Sequence, residues 1–289
     1  MIIIKLWGGL CNQMFQYAFG YMLSRQNDEE VFFDTEFFKN QPSYCDHRNI
    51  EIKSYPNVEL KVVSRPKAVR VFQPRYVSFF TRRINRCHIP CLGGVEYIKE
   101  REHVYWTDIP YFPQKINYYD GYWQSERYFE KYADELRSKF IPPAGVKKEV
   151  DDWFAQFQGK HTVAIHVRRK DMIGRRSGYT EEDMVKYYFC AMEYMSHKVS
   201  NIEFVLFSDD ITWCKKNIPT TYGSVTFQCN NWGAIGDLYG ISLCENGIIF
   251  QSTFGWWGNW LDANKNRIVI APKGEYLNNM FIPNRWTRV

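Results

Sequence analysis

The feature that most constrains this chain is the alternation of short apolar runs with helical patterns between residues 161 and 272. HTVAIHV (161–167), IEFVLFS (202–208), SVTFQC (224–229), GIIFQS (247–252) and RIVIAP (267–272) are mostly apolar and rich in β-branched residues. Between them lie TEEDMVKYYFCAMEYM (180–195), a short stretch after Asp210, GAIGDLYGISLCE (233–245) and TFGWWGNWLDAN (253–264), all with helical spacing. Thr180 followed by Glu181, Glu182 and Asp183 is a helix-start signature. A strand that is apolar almost throughout has no face to give to water. Both faces must be covered, which points to a parallel sheet with helical crossovers. The expectation is a doubly wound, Rossmann-like domain, and in such sheets ligands bind outside the carboxyl ends of the strands. The polar residues that follow each strand are therefore the ones to read for chemistry.

The first half carries a looser version of the pattern. MIIIKL (1–6) reads as a strand, GGLCNQ (8–13) as a turn, MFQYAFGYMLSRQ (14–26) as a helix and EEVFFD (29–34) as a second strand. Gly8-Gly9 sits where a phosphate-approach loop would, but the full G-x-G-x-x-G spacing is absent, and a plain tight turn fits equally well. Residues 40–120 give no readable order. DGYWQSERYFEKYADELRSKF (120–140) ends in a helix, and IPPAG (141–145) is the linker candidate. The expected domains are 1–145 and 146–289, and 289 residues suffice for both.

Composition excludes more than it identifies. No run reaches the roughly 18–20 apolar residues of a membrane helix, and the opening MIIIKLWGGL is too short in apolar character for a secretion signal. A cytoplasmic chain with reduced thiols is the expectation for its 8 cysteines. Cys87-His88-x-x-Cys91 has no second pair at metal-ligand spacing, so two loop thiols are favoured over zinc. Aromatic residues make up 18% of the chain, weak support for a sugar ligand. Residues 61–101 hold ten Lys and Arg against Glu96 and Glu100, a net +8 in a chain of +5. With Phe72, Tyr76, Phe79 and Phe80 interleaved, this stretch has the look of a nucleic-acid surface, of a patch for anionic lipid headgroups, or of a solvated basic face without a partner. A nucleic acid is not the expected partner.

Three strand ends carry the chemistry. His166-Val-Arg-Arg-Lys-Asp171 follows the first strand of the second half. Alternation puts His166 and Arg168 on one side of it and Arg169 on the other. Arginines at a strand end suit a diphosphate, because each offers a planar fork of donors; the competing reading is an ion pair with Asp171. Ser208-Asp-Asp210 ends the next strand, its carboxylates fitted to capping, acid–base work or a cation. Gln251-Ser-Thr-Phe-Gly255 turns a strand into a helix, and a helix N-terminus accepts anions. Asp237 could take paired hydrogen bonds from a guanine edge, or be an acid on a helix surface. The Asp-x-Asp arrangement used by metal-dependent glycosyltransferases occurs nowhere in the chain.

Taken together, His166-Val-Arg-Arg-Lys-Asp171, Phe207-Ser-Asp-Asp210 with Trp213, and Asp237-Leu-Tyr through Ser252-Thr-Phe-Gly-Trp-Trp257 resemble the three motifs of the inverting α-1,2-fucosyltransferases of glycosyltransferase family 11. Gly8-Gly-Leu-Cys-Asn-Gln13, Phe15-Gln-Tyr-Ala-Phe-Gly20 and Gly121-Tyr-Trp-Gln-Ser125 are similar to that family as well. The resemblance implies a GT-B-like architecture, two Rossmann-like domains facing a cleft, with an N-terminal acceptor-side domain and the donor GDP-fucose held mainly by the C-terminal one. It implies Arg168 on the pyrophosphate with His166 close by, Asp237 on the guanine, Ser252, Thr253, Phe254 and Gly255 on the phosphates, and Asn12 facing the cleft. Arg169 and Asp209 complete the donor-binding set. Cys11 stands where a glycine is usual and Gly255 where a serine is usual.

The activity so implied is transfer of L-fucose from GDP-β-L-fucose to the 2-hydroxyl of a β-galactoside, with inversion and without a metal or other cofactor. Arg168 would stabilise the leaving pyrophosphate. The base for the acceptor hydroxyl is His166, Asp171 or Asp209, or none in a loose transition state. The alternatives are a fucosyltransferase of another linkage and a non-catalytic sugar- or nucleotide-binding protein on the same fold. The acceptor-selecting residues are expected within 40–120, and the enzyme in the cytoplasm, with peripheral contact to the inner membrane face through 61–101.

Overall fold

A computed structural model describes residues 1–41, 47–72, 88–100, 105–169, 180–273 and 281–289. The chain divides into two compact units, Met1–Lys139 and Phe140–Val289.

In the first unit, strands β1 (Ile2–Lys5), β2 (Val31–Asp34), β3 (Val62–Val63), β4 (His88–Cys91), β5 (Val95–Lys99) and β6 (Ile116–Asp120) form one sheet in the order β3-β2-β1-β6-β5-β4. All its pairs are parallel except the β4–β5 hairpin. Helix α1 (Leu10–Asn27) follows β1. It starts four residues before the expected Met14, because the Glu51 carboxylate accepts from Leu10 N–H at 2.8 Å and supplies the missing cap. Met14, Phe15, Ala18, Phe19 and Met22 are buried along it. The other helices here are α2 (Lys67–Phe72) and α3 (Ala133–Lys139).

The second unit opens on α4 (Ala144–Phe154), whose first turn takes up the end of the segment read as a linker. Then come β7 (His161–Val167), α5 (Glu181–Ser196), β8 (Ile202–Ser208), α6 (Ile211–Asn217), β9 (Ser224–Phe227), α7 (Gly233–Leu243), β10 (Asn246–Ile248), α8 (Thr253–Trp260), β11 (Val269–Ala271) and β12 (Thr287–Arg288). Their order is β12-β11-β10-β7-β8-β9, every pair parallel. The apolar runs are buried on both faces, as the sequence required. Val163, Ile165, Val167, Phe204 and Leu206 pack with residues of α5 and α6. Ala164, Val205 and Phe207 pack with residues of α4 and α7. Truncating one of these, as in Leu206→Ala, costs about 2–5 kcal/mol. Helix α5 begins in a full capping box between Thr180 and Asp183.

The second sheet has a place where the strand order reverses: β8 and β9 lie to one side of β7, and β10, β11 and β12 to the other. Such switch points open a crevice at the carboxyl ends of the two strands, and ligands of doubly wound sheets sit there.

Candidate active site

The β7/β10 switch point gathers most of the residues singled out from sequence. His166 lies in the last turn of β7 on the side of α8. Its ring stacks on Phe254 at 5.0 Å between centroids, and Tyr188 Oη donates to its carbonyl at 2.8 Å. Gly255 makes this approach feasible: a β-carbon there would stand 3.0 Å from His166 Nδ1 and 3.2 Å from Ile249 Cγ2. The serine-to-glycine departure thus has a packing cause. The expectation that His166 has a pKa suited to proton transfer is corrected. Burial, and secondarily the Arg168 charge, push it down to about 3, and Nδ1 has no hydrogen-bond partner. The imidazole is neutral at physiological pH and too weakly basic to serve as the base.

Arg168 is half-buried directly beyond the strand, beside His166. Across the switch point α8 starts on Ser252, whose Oγ accepts from Phe254 N–H at 3.2 Å. Thr253 and Phe254 are half-buried in its first turn, where backbone N–H groups lack intrahelical acceptors. Arg168 and the positive end of a helix dipole therefore both follow the carboxyl ends of neighbouring strands, β7 and β10.

Arg169 is engaged otherwise. Its Nη1 donates to Asp210 at 2.9 Å and its Nη2 to Glu181 at 3.4 Å, and its guanidinium lies 5.3 Å from the Trp213 ring centroid. Trp213 Nε1 donates to the same Glu181 carboxylate, while Asp210 caps α6 through Trp213 N–H at 3.0 Å. Asp209, exposed, accepts from Arg169 N–H at 2.9 Å. The carboxylate pair at this strand end thus anchors Arg169 at the end of β7. Asp171, the expected partner of Arg169, lies outside the described residues.

Asp237 is not a plain surface acid. It is half-buried on α7, and burial raises its pKa to about 6, a shift limited by the hydrogen bond from Gln228 Nε2. Gln228 Oε1 in turn accepts from Asn230 N–H, which fixes the amide's orientation. Reading the first residue after β9 would have found Gln228, because it stands at a strand's carboxyl end like Arg168. Glu181 left no such signal, since it resembles an ordinary helix-start acid.

Among the described residues no three His, Cys, Asp or Glu side chains come together as a metal-binding group. Among the same residues, no helix is long and apolar enough to cross a membrane. The basic stretch is partly neutralised, because Lys61, Arg65 and Arg70 pair with Glu30, Asp34 and Glu36. Its Arg75, Arg82, Arg83, Arg86 and Arg101, and Cys87, lie outside the described residues. Asn12, in the first turn of α1, accepts from Gln124 Nε2 at 2.9 Å within the N-terminal unit.

A sequence model of Glycosyl transferase family 11 matches residues 81–283. The chain belongs to glycosyltransferase family 11. It is 28% identical to an alpha-1,2-colitosyltransferase of Escherichia coli over 306 aligned residues, covering 100% of this chain and 99% of the relative. It is also 28% identical to galactoside alpha-(1,2)-fucosyltransferase 1 of Sus scrofa over 164 residues, covering 52% of this chain and 44% of that protein. Among solved structures, the NodZ alpha-1,6-fucosyltransferase soaked with GDP-fucose matches with a TM-score of 0.55 at 11% identity, over 90% of this chain and 92% of that one. At that identity the likeness concerns the fold, which is GT-B-like with two Rossmann-like units. This member of family 11 is a glycosyltransferase.

Proposed function

We propose that this glycosyltransferase moves L-fucose from GDP-β-L-fucose to the 2-hydroxyl of a β-galactoside, inverting the anomeric centre and needing no metal. The observation that carries the reading is the placement of Arg168 after β7 and of the α8 N-terminus after β10, the two strands of the switch point. As the bond from the anomeric carbon to the pyrophosphate oxygen lengthens, negative charge grows on the diphosphate and the fucosyl ring becomes oxocarbenium-like. A fixed guanidinium and a helix terminus stabilise that charge without reorganising. Asp237 accepts from the guanine edge in its ionised form. The neutral His166 holds the start of α8 against β7 and adds no second cation. The proton of the acceptor hydroxyl leaves to Asp209, to Asp171 or to water, late in a loose transition state.

The test is incubation of GDP-fucose with methyl β-D-galactopyranoside in excess EDTA, the product linkage being read by NMR. An α-1,2-fucoside formed at an undiminished rate supports the reading; abolition by chelation and rescue by Mg²⁺ or Mn²⁺ sinks it. Absence of both transfer and slow acceptor-free hydrolysis would favour a silent binding protein. A second donor is favoured by the Escherichia coli relative, named for colitosyl transfer and matched over its full length. Colitose is L-fucose without its 3-hydroxyl. A pocket that hydrogen-bonds that hydroxyl rejects the deoxy sugar by orders of magnitude, whereas a pocket shaped for the deoxy sugar rejects fucose only weakly. Rates with GDP-fucose and GDP-colitose separate the two. The same proposal puts the remaining cations of 61–101 against anionic lipid, read as vesicle co-sedimentation that fades toward roughly 0.5 M salt.

A further inference from the structure

At the β9 edge of the second sheet two side chains form a polar cluster that the chain itself does not complete. Gln228 is the first residue after β9 and is 6% exposed. Its backbone N–H extends the ladder to the Leu206 carbonyl at 2.9 Å. Its Oε1 accepts from Asn230 N–H, in the loop that leads to α7. A backbone N–H can only donate, so the amide has one orientation and its NH2 group faces away from Asn230. One of that group's hydrogens goes to Asp237 Oδ1, on α7.

The bonding of this pair is unfinished. Among the described residues, no second group accepts from the Gln228 amide and no second group donates to the Asp237 carboxylate. The charges that α4 brings to α7 are engaged with each other. Lys147 pairs with Asp151 at 2.6 Å and lies over the Tyr239 ring, and Tyr239 Oη donates to Asp151 at 2.7 Å. A buried amide hydrogen and a half-buried carboxylate that lack partners forfeit the hydration they had in the unfolded chain. A ligand that supplies those partners restores what folding took away.

The order of the groups on offer selects that ligand. The row runs from the second N–H of Gln228 to Oδ1 and then Oδ2 of Asp237: donor, acceptor, acceptor. Its complement is an edge that runs acceptor, donor, donor. Guanine presents this edge with O6, N1–H and the N2 amine. In adenine and cytosine the central ring nitrogen is an acceptor and would face Oδ1. Uracil matches at O4 and N3–H but sets its O2 against Oδ2. A bare cation would suit the carboxylate and meet the amide hydrogen head-on.

We infer that Gln228 is a specificity-determining residue of the donor site, its second N–H donating to guanine O6 while Asp237 accepts from N1–H and the N2 amine. The inference rests on the GDP-fucose reading proposed above and adds to it the group that reads O6.

The experiment is a set of competition titrations on the full chain at pH 7.5, with GDP, 6-thio-GDP, IDP and ADP as probes. Sulfur at position 6 is a weaker acceptor than oxygen, and hypoxanthine lacks the N2 amine. Wild type should prefer GDP several-fold over 6-thio-GDP, roughly tenfold over IDP, and by orders of magnitude over ADP. Gln228→Met keeps the side-chain length without a donor. It should weaken GDP roughly tenfold and erase the preference over 6-thio-GDP, while the preference over IDP survives and shows the site to be folded. Asp237→Asn should instead erase the preference over IDP. Gln228→Glu retains the acceptor for Asn230 N–H and carries the same test should methionine disturb the loop. An intact preference for GDP over 6-thio-GDP in both Gln228 variants overturns the role, as does a wild type indifferent to the sulfur. A wild type that holds ADP as tightly as GDP strikes the donor reading itself.

Discussion

At the end of β7 the chain sets Arg168 beside a helix terminus capped by the Ser252 hydroxyl; at the end of β1 the corresponding terminus is engaged by the Glu51 carboxylate and flanked by aromatic rings. The second sheet reverses its strand order beside β7, whereas the first runs β3-β2-β1-β6-β5-β4 without a reversal. The residues after the strands differ too. Arg168 follows β7, while Lys5 at the end of β1 is held by both oxygens of Asp120 at 2.9 Å.

The largest expected effect lies in the cationic crevice. Arg168→Lys keeps the charge but loses the planar fork, and kcat should fall by roughly 10²–10³. Arg169→Lys should act on stability instead. Its ties to Asp210 and Glu181 join the end of β7 to the starts of α5 and α6, and losing their geometry costs about 1–3 kcal/mol. Steady-state rates beside thermal unfolding distinguish the two arginines. Near-normal turnover in Arg168→Lys would break the contrast between the strand ends.

How legible this was from sequence differed between the units. Strands 161–167 and 202–208 are buried on both faces and read directly as apolar runs. The switch-point rule then led to Arg168 and to the 252–255 turn. The first unit was less legible for physical reasons. Strand β3 has two residues, and β4 and β5 form an antiparallel hairpin inside a parallel sheet, so the 40–120 region shows no repeating period. Helix α1 is capped from 41 residues away, which no local signal reports. The protonation of His166 depends on burial, and its sequence neighbours say nothing of that.

A smaller effect tests the nucleotide end of the cationic crevice. If ionised Asp237 accepts from guanine, Asp237→Asn should weaken GDP by roughly 10–100-fold and leave UDP nearly unchanged. With its folded pKa near 6, wild-type affinity for GDP should also fall as pH drops below about 6. Stability runs the other way. The folded value lies above the unfolded carboxylate value of about 3.9. Asp237 therefore contributes stability below pH about 4 that is lost as pH rises through about 6. Asp237→Asn should raise the unfolding midpoint at pH 7.5 and change it little at pH 4. A variant that loses GDP without gaining stability at pH 7.5 would contradict the burial argument.

Gly255 offers a finer probe. Gly255→Ala gains helix propensity of about 1 kcal/mol, but its methyl meets His166 Nδ1 at 3.0 Å. Stability should change little, while a shift of a few tenths of an ångström at the strand end lowers kcat roughly several-fold. Gly255→Ser brings a hydroxyl within reach of the unpartnered His166 Nδ1 and should retain more activity than alanine. Equal activity in the two variants would show that the imidazole nitrogen is not what the hydroxyl serves.

The smallest effect bears on the end of β1. Glu51→Gln preserves a carbonyl acceptor for Leu10 N–H but removes the charge that complements the α1 dipole, at a cost of about 0.3–1 kcal/mol. The informative readout is anion response. With the carboxylate neutralised, the terminus of α1 and the nearby Arg48, whose Nη1 lies 3.7 Å from a β-carbon built on Gly9, become an anion site. Sulfate stabilises most proteins by exclusion, so the comparison is between variants at equal sulfate. Glu51→Gln should gain more in unfolding midpoint than wild type, and the excess should saturate at millimolar sulfate. Identical sulfate responses would mean that Glu51 is not what neutralises the α1 terminus, and the contrast with the end of β7 would need another cause.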